Sequence, residues 1–136
     1  MMDAVIAVRR LIQAHLAADT PLIGLLGGPQ IHDEPPRAAA GPYVVYGDVD
    51  ARDWSSGGDI GCEQFIELVI WAGKGRETAA ALAIAGRVGS ILHDAPMSPA
   101  GHRLVNIRQT GLEVRRDAKT GLSRATVRLR CITEQL

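Results

Sequence analysis

Aromatic side chains are scarce. One Phe, two Tyr and two Trp make up 4% of 136 residues. That leaves little ring surface for stacking bases, which weighs against a nucleic-acid-binding module. Lysine is scarcer still among the cations, because 13 of the 15 basic residues are arginine and only Lys74 and Lys119 are lysine. Arginine is enriched, and lysine depleted, where proteins meet proteins. With only two cysteines, the composition excludes a disulfide-rich secreted module. No apolar run approaches the ~18 residues of a membrane-spanning helix. Asp3 and the Arg9-Arg10 pair inside an amphipathic pattern have the wrong order for a signal peptide, so the expected location is the cytoplasm. At 46% hydrophobic and 22% charged, a chain of this length is expected to form one domain over 1–136. It can bury roughly two-thirds of its unfolded surface without disulfides or metal.

Net charge is also absent, at a formal value of zero, but the zero is a sum of unequal halves. Residues 1–68 carry 4 basic and 10 acidic side chains, giving −6; residues 69–136 carry 11 basic and 5 acidic, giving +6. Such asymmetry suits a nucleic-acid or membrane partner. It equally suits one half pairing with the other, within a chain or between copies.

Val5, Val8, Leu11, Ile12 and Leu16 recur at three- and four-residue intervals and predict a helix to about residue 17, with Asp3 as its cap. Thr20 is placed to cap a short second helix with Pro21 in its first position, and Gly27-Gly28 ends it. A short strand is expected at Ile31, and a longer one runs from Pro42 towards Val49. Residues 52–59 read as a long, flexible hairpin connection that contains Trp54. The next strand, 62–71, points Ile66, Leu68 and Ile70 one way and Glu63, Phe65, Glu67, Val69 and Trp71 the other. Gly73 and Gly75 bracket a turn into a helix over 77–93, whose Gly86 and Gly89 suggest close approach to a sheet. Two strands, 103–116 and 122–133, follow, joined by a turn over 117–121 with Gly121 where positive φ is needed. In the last strand Val127, Leu129 and Cys131 alternate strictly with Arg124, Thr126, Arg128 and Arg130, which predicts one buried face. The expected fold class is α+β: a mostly antiparallel sheet of four to five strands with two main helices on one face.

Motifs for chemistry are missing. His15, His32, His93 and His102 are scattered without metal-ligand spacing. His32-Asp33-Glu34 lies in a proline-rich loop and reads as solvated polar residues. No glycine-rich phosphate loop and no nucleophile elbow is present. Catalytic, cofactor-binding and metal-binding residues are therefore all expected to be none. Cys62 and Cys131 lie in strands that can neighbour each other; a disulfide is geometrically open, while a cytosolic chain favours two buried thiols. The basic stripe Arg124, Arg128 and Arg130, with Arg115 and Arg116 before it, is expected to pair with the Glu63 and Glu67 face or with a neighbouring subunit.

The chain resembles the phage tail-completion, or tail-terminator, proteins, which occur also in bacterial gene transfer agents. The resemblance spans nearly the whole sequence. Its marks are Leu16-Ala17-Ala18-Asp19, Gly28 with Ile31-His32-Asp33 and Pro35-Pro36, then Pro42-Tyr43-Val44-Val45 and Leu68-Val69-Ile70-Trp71. They continue through the alanine-rich helix closing on Leu92-His93 to His102-Arg103-Leu104-Val105, Arg115-Arg116-Asp117 and Arg128-Leu129-Arg130. It implies a structural virion protein and no enzyme. The implied assembly is a ring, most often a hexamer, that caps the head-proximal end of a tail tube, ends its polymerisation and meets a head-side stopper or connector. DNA would pass through the lumen without sequence-specific binding, and no membrane is involved. Such a protein assembles in the bacterial cytoplasm and ends in the neck of the particle. A ring needs two different patches that meet. Asp53, Trp54, Asp59, Arg115, Arg116, Arg124, Arg128 and Arg130 are the expected interface residues, with Trp54 as an anchor ordered on assembly. A head–tail stopper or adaptor of the neck is the related alternative. A small cytosolic enzyme, supported by any pocket joining His93, His102 and acids, and a nucleic-acid-binding module remain open as other classes.

Overall fold

The computed structural model describes residues 1–37, 41–73, 78–119 and 121–136. The elements run α1 (Met2–Ala17), α2 (Thr20–Leu26), β1 (Ile31–His32), β2 (Tyr43–Asp53), β3 (Gly61–Trp71), α3 (Thr78–Leu92), β4 (His102–Arg116) and β5 (Ser123–Gln135). The strands form one sheet in the order β1-β2-β3-β5-β4. Only β1 and β2 are parallel; the other three pairs are antiparallel. The fold is thus α+β with a mostly antiparallel sheet. β5 lies between β3 and β4, so α3 carries the chain across one strand. Gly75 and Glu77 of the expected turn and helix start, and Thr120 of the last hairpin, lie outside the described residues.

Period-two alternation decides which side of the sheet is covered. Val44, Leu68, Ile70, Ala125, Val127 and Leu129 all face the helices and are essentially inaccessible to water. Ile12 and Leu16 of α1, Leu22 of α2, and Ile84, Val88 and Leu92 of α3 complete this core. Tyr46 reaches α1, where its hydroxyl donates to Gln13 Oε1 at 3.1 Å and the Arg9 guanidinium lies 4.3 Å from the ring centroid. Burial pushes the Tyr46 phenol up to about 12.

The helix ends correct two expectations. Asp3 does not cap α1: the helix already begins at Met2, and Asp3 lies in its first turn, 3.2 Å from the N-terminal ammonium. Asp19, rather than Thr20, caps α2, accepting the Leu22 N–H at 3.0 Å. Pro21 tolerates this shift because a proline lacks the N–H that the first turn leaves unpaired. The same carboxylate receives Arg87 of α3 through Nε at 2.7 Å and Nη2 at 2.6 Å. These bonds hold the Asp19 carboxyl below its ordinary value and tie α2 to α3.

Residues 52–59, expected as a long, flexible hairpin connection, instead form a tightly closed hairpin end. β2 extends to Asp53, and Ser56 and Asp59 exchange both backbone hydrogen bonds. Between them Gly57 and Gly58 take φ of 58° and 93°. Positive φ at both central residues is the two-residue turn that matches strand twist, and glycine adopts it without strain.

The two helix glycines have different reasons. A Cβ on Gly89 would strike the Gln109 amide of β4, which accounts for a small residue where α3 crosses the sheet. Gly86 is exposed with nothing within 4 Å of such a Cβ, so close approach does not explain it. Gly86→Ala should therefore raise stability by about 0.5–1 kcal/mol through helix propensity and lost unfolded-state freedom. Gly61→Ala should lower it by about 1–3 kcal/mol, because its Cβ would meet the Trp54 carbonyl. Thermal melts of both variants beside wild type check the opposite signs.

Candidate assembly interface

Among the described residues no helix lies over the second face of the sheet, yet Val45, Thr126 and Ile132 are buried there. Long side chains from neighbouring strand positions seal it. The Arg52 guanidinium sits 5.2 Å from the Phe65 ring centroid, and that of Arg124 5.7 Å from Trp71. Arginine stems cover apolar surface while their heads stay wet.

The register of β3 with β5 then fixes the charges. Glu67 stands opposite Arg128, and Glu63 lies diagonal to Arg130. Arg130 donates through Nε to Glu63 at 2.7 Å. Arg128 reaches Glu67 at 3.5 Å and Glu113 of β4 at 3.2 Å, and Glu113 also holds Arg115. The Arg128 bond pulls the Glu113 carboxyl below its ordinary value. Arg103 pairs with Glu134 at 2.6 Å on the same two strands. The acidic half of the sequence thus meets the basic half inside one chain, at the middle of the sheet.

Apart from Asp48 in the middle of β2, the sheet's charges without an ion pair among the described residues lie at its two ends. At the β2–β3 turn, Asp53 accepts from the Ser55 hydroxyl at 2.6 Å, and neither Asp53 nor Asp59 forms an ion pair among the described residues. Trp54 is 39% exposed and Ile60 59% exposed beside them. The Trp54 backbone is fixed, its N–H donating to Gly61 O at 2.9 Å. At the β4–β5 turn, Arg116 and Arg124 likewise form no ion pair among the described residues. Trp71, Arg115, Arg116, Asp117 and Arg124 line a groove of about 290 Å³ there. Leu112 and Val114, 47% and 40% exposed, stand on the adjoining strand.

The eight residues singled out in the sequence therefore separate into three sets. Asp53, Trp54 and Asp59 gather at one end; Arg115, Arg116 and Arg124 gather at the other; Arg128 and Arg130 are held in the middle by glutamates. Sequence patterning missed Ile60, Leu112 and Val114. The last two alternate like core positions, but β4 is a 15-residue strand whose last turns outrun the helices.

The histidines do not assemble a catalytic group. His93 Nδ1 accepts the Gln109 N–H at 3.0 Å, which leaves the Nε2 proton facing Asp94 at 3.3 Å. His102 instead closes a small cavity of about 100 Å³ with Asp3, Cys62 and Thr133. Its Nδ1 lies 2.8 Å from Ala100 O and its Nε2 3.6 Å from Asp3. Among the described residues no three His, Cys, Asp or Glu side chains gather to hold a metal ion. Among the described residues no helix is long and apolar enough to cross a membrane.

Cys62 and Cys131 are diagonal neighbours across β3 and β5, both buried and both free thiols. Burial pushes the Cys131 thiol up to about 12 and raises Cys62 as well. Since the thiolate is the reactive form, both should alkylate at least about 100-fold more slowly in the native protein than in urea. Mass-resolved maleimide labelling measures this, and equal rates in the two states would contradict the burial.

The chain is similar to known proteins along nearly its whole length. Residues 10–134 match the model of the family described as Tail completion protein gp17. No curated protein matches the sequence. Among solved structures, a chain of the virion of a native gene transfer agent (GTA) particle superposes with a TM-score of 0.87 at 26% identity, covering 96% of this chain and 97% of that one. The protein is a structural component of a phage-like tail, built to assemble with other virion proteins. An α+β sheet with no catalytic cluster among its described residues, together with a family match over 10–134, leads to one assignment: this chain belongs to the tail completion protein gp17 family.

Proposed function

We propose that copies of this chain form a ring, a hexamer, at the head-proximal end of a tail tube. The ring ends tube polymerisation and offers its far surface to the head-side stopper or connector, while DNA passes through its lumen. Assembly takes place in the bacterial cytoplasm, and the finished protein sits in the neck of the particle. The observation that carries this reading is the end-to-end match to a chain of a gene transfer agent virion, at 96% and 97% coverage. The sheet supports it, because its unpaired charges have opposite signs at opposite ends. A ring is built from a heterologous contact in which two different patches meet. The protein acts by position rather than by catalysis: its middle carries no positive surplus to compete for phosphate, and its ends carry the exposed apolar groups that interfaces use.

Removing the protein from particle-producing cells tests the role. Tubes should grow beyond their normal length and remain without heads, and purified protein added to growing tubes should stop elongation. Tubes of normal length that fail to join heads would place the chain at the stopper position instead. Intact, infective or transfer-competent particles would overturn the proposal.

A further inference from the structure

β3 carries 11 residues, so the two ends of the sheet stand about 35 Å apart. One end bears Asp53 and Asp59, without ion partners among the described residues, together with exposed Trp54 and Ile60. The other bears Arg116 and Arg124, also without ion partners among the described residues, at the groove under Trp71, with exposed Leu112 on the helix side of the same end. Each end thus combines charge of one sign with uncovered apolar surface. The ion pairs at the centre, Arg130 with Glu63 and Arg128 with Glu67 and Glu113, set two arginines against three glutamates and leave that middle with no positive surplus.

Resting on the ring reading, we infer that the acidic β2–β3 hairpin of one copy docks on the basic β4–β5 end of the next copy. Trp54 is the anchor, laid against the Arg116 and Arg124 guanidinium groups, and Asp53 and Asp59 neutralise them. A tryptophan packed under guanidinium planes is a strong contact when water is excluded. Complementary charge selects the occupant. Two acidic ends or two basic ends brought together would set like charges side by side, which excludes a symmetric end-to-end dimer. A head-to-tail contact leaves the joined pair with one free end of each sign, so it propagates and closes when the rotation per subunit divides the circle. A nucleic-acid backbone is the poorer occupant of the basic end, since the Asp117 carboxylate lines the same groove.

The test uses the full-length protein, alone and mixed with tail tubes, with closed oligomers read by native mass spectrometry and electron microscopy. Asp53→Arg with Asp59→Arg, and separately Arg116→Asp with Arg124→Asp, should each weaken association by about 100-fold. Trp54→Ala should weaken it comparably at temperatures well below its own thermal midpoint. The variant that carries all four reversals restores opposite signs and should recover association to within about tenfold of wild type. That recovery also shows that the separate reversals fold. Reversal variants that close as wild type does, or a combined variant that stays apart, would overturn this pairing while the ring reading stands. Wild-type protein that forms no closed oligomer, free or at tube ends, would instead overturn the ring reading itself.

Discussion

The antiparallel pairing of β3 with β5 is the constraint on which the rest of the structure depends. It joins the acidic half of the chain to the basic half along 11 opposed residue pairs, from Gly61 with Glu134 to Trp71 with Arg124. A slip of one residue would turn either Leu68 and Ile70 or Val127 and Leu129 out to water and drive Glu67 or Arg128 under the helices. Burial therefore sets the register, and the register sets the charge pairing. The ion pairs follow from the core rather than holding it together, as expected for partly exposed pairs that each contribute little.

That order of causes explains how a chain with no net charge retains electrostatic character. Glutamates 63 and 67 are spent on arginines 130 and 128 at the centre of the open face, where arginine stems also shield Val45 and Thr126. The termini of the strands cannot be neutralised in this way, because the β2–β3 turn is acidic and has no basic strand beside it. The β4–β5 turn has the reverse problem. A zero total thus conceals a subunit with two unlike ends, the charge pattern that the proposed head-to-tail contact uses.

Local signals were legible in the sequence where local physics decides. The strict alternation of Arg124 to Cys131 marks a half-buried strand. Gly57-Gly58 marks a two-residue turn, although its neighbours alone suggested a looser connection. Asp19 and Thr20 are both capping residues next to Pro21, and the choice between them is made by Arg87, 68 positions away, which no local pattern can reveal. The insertion of β5 between β3 and β4 is equally nonlocal. So is the difference between Gly86 and Gly89, which rests on the position of Gln109. The interface candidates were legible by charge and exposure propensity, but not their division. Arg128 and Arg130 look the same as Arg124 in sequence, and only the register gives two of them glutamates and leaves the third over Trp71.

The most direct measurement is a side-chain-resolution image of the protein in its assembled particle. The account expects rotational symmetry at the head-proximal end of the tube, with Trp54 of each subunit seated on the Trp71–Arg124 end of its neighbour. Subunits joined through the open face, with the Arg130–Glu63 and Arg128–Glu67 pairs broken and both hairpin turns left in solvent, would contradict it.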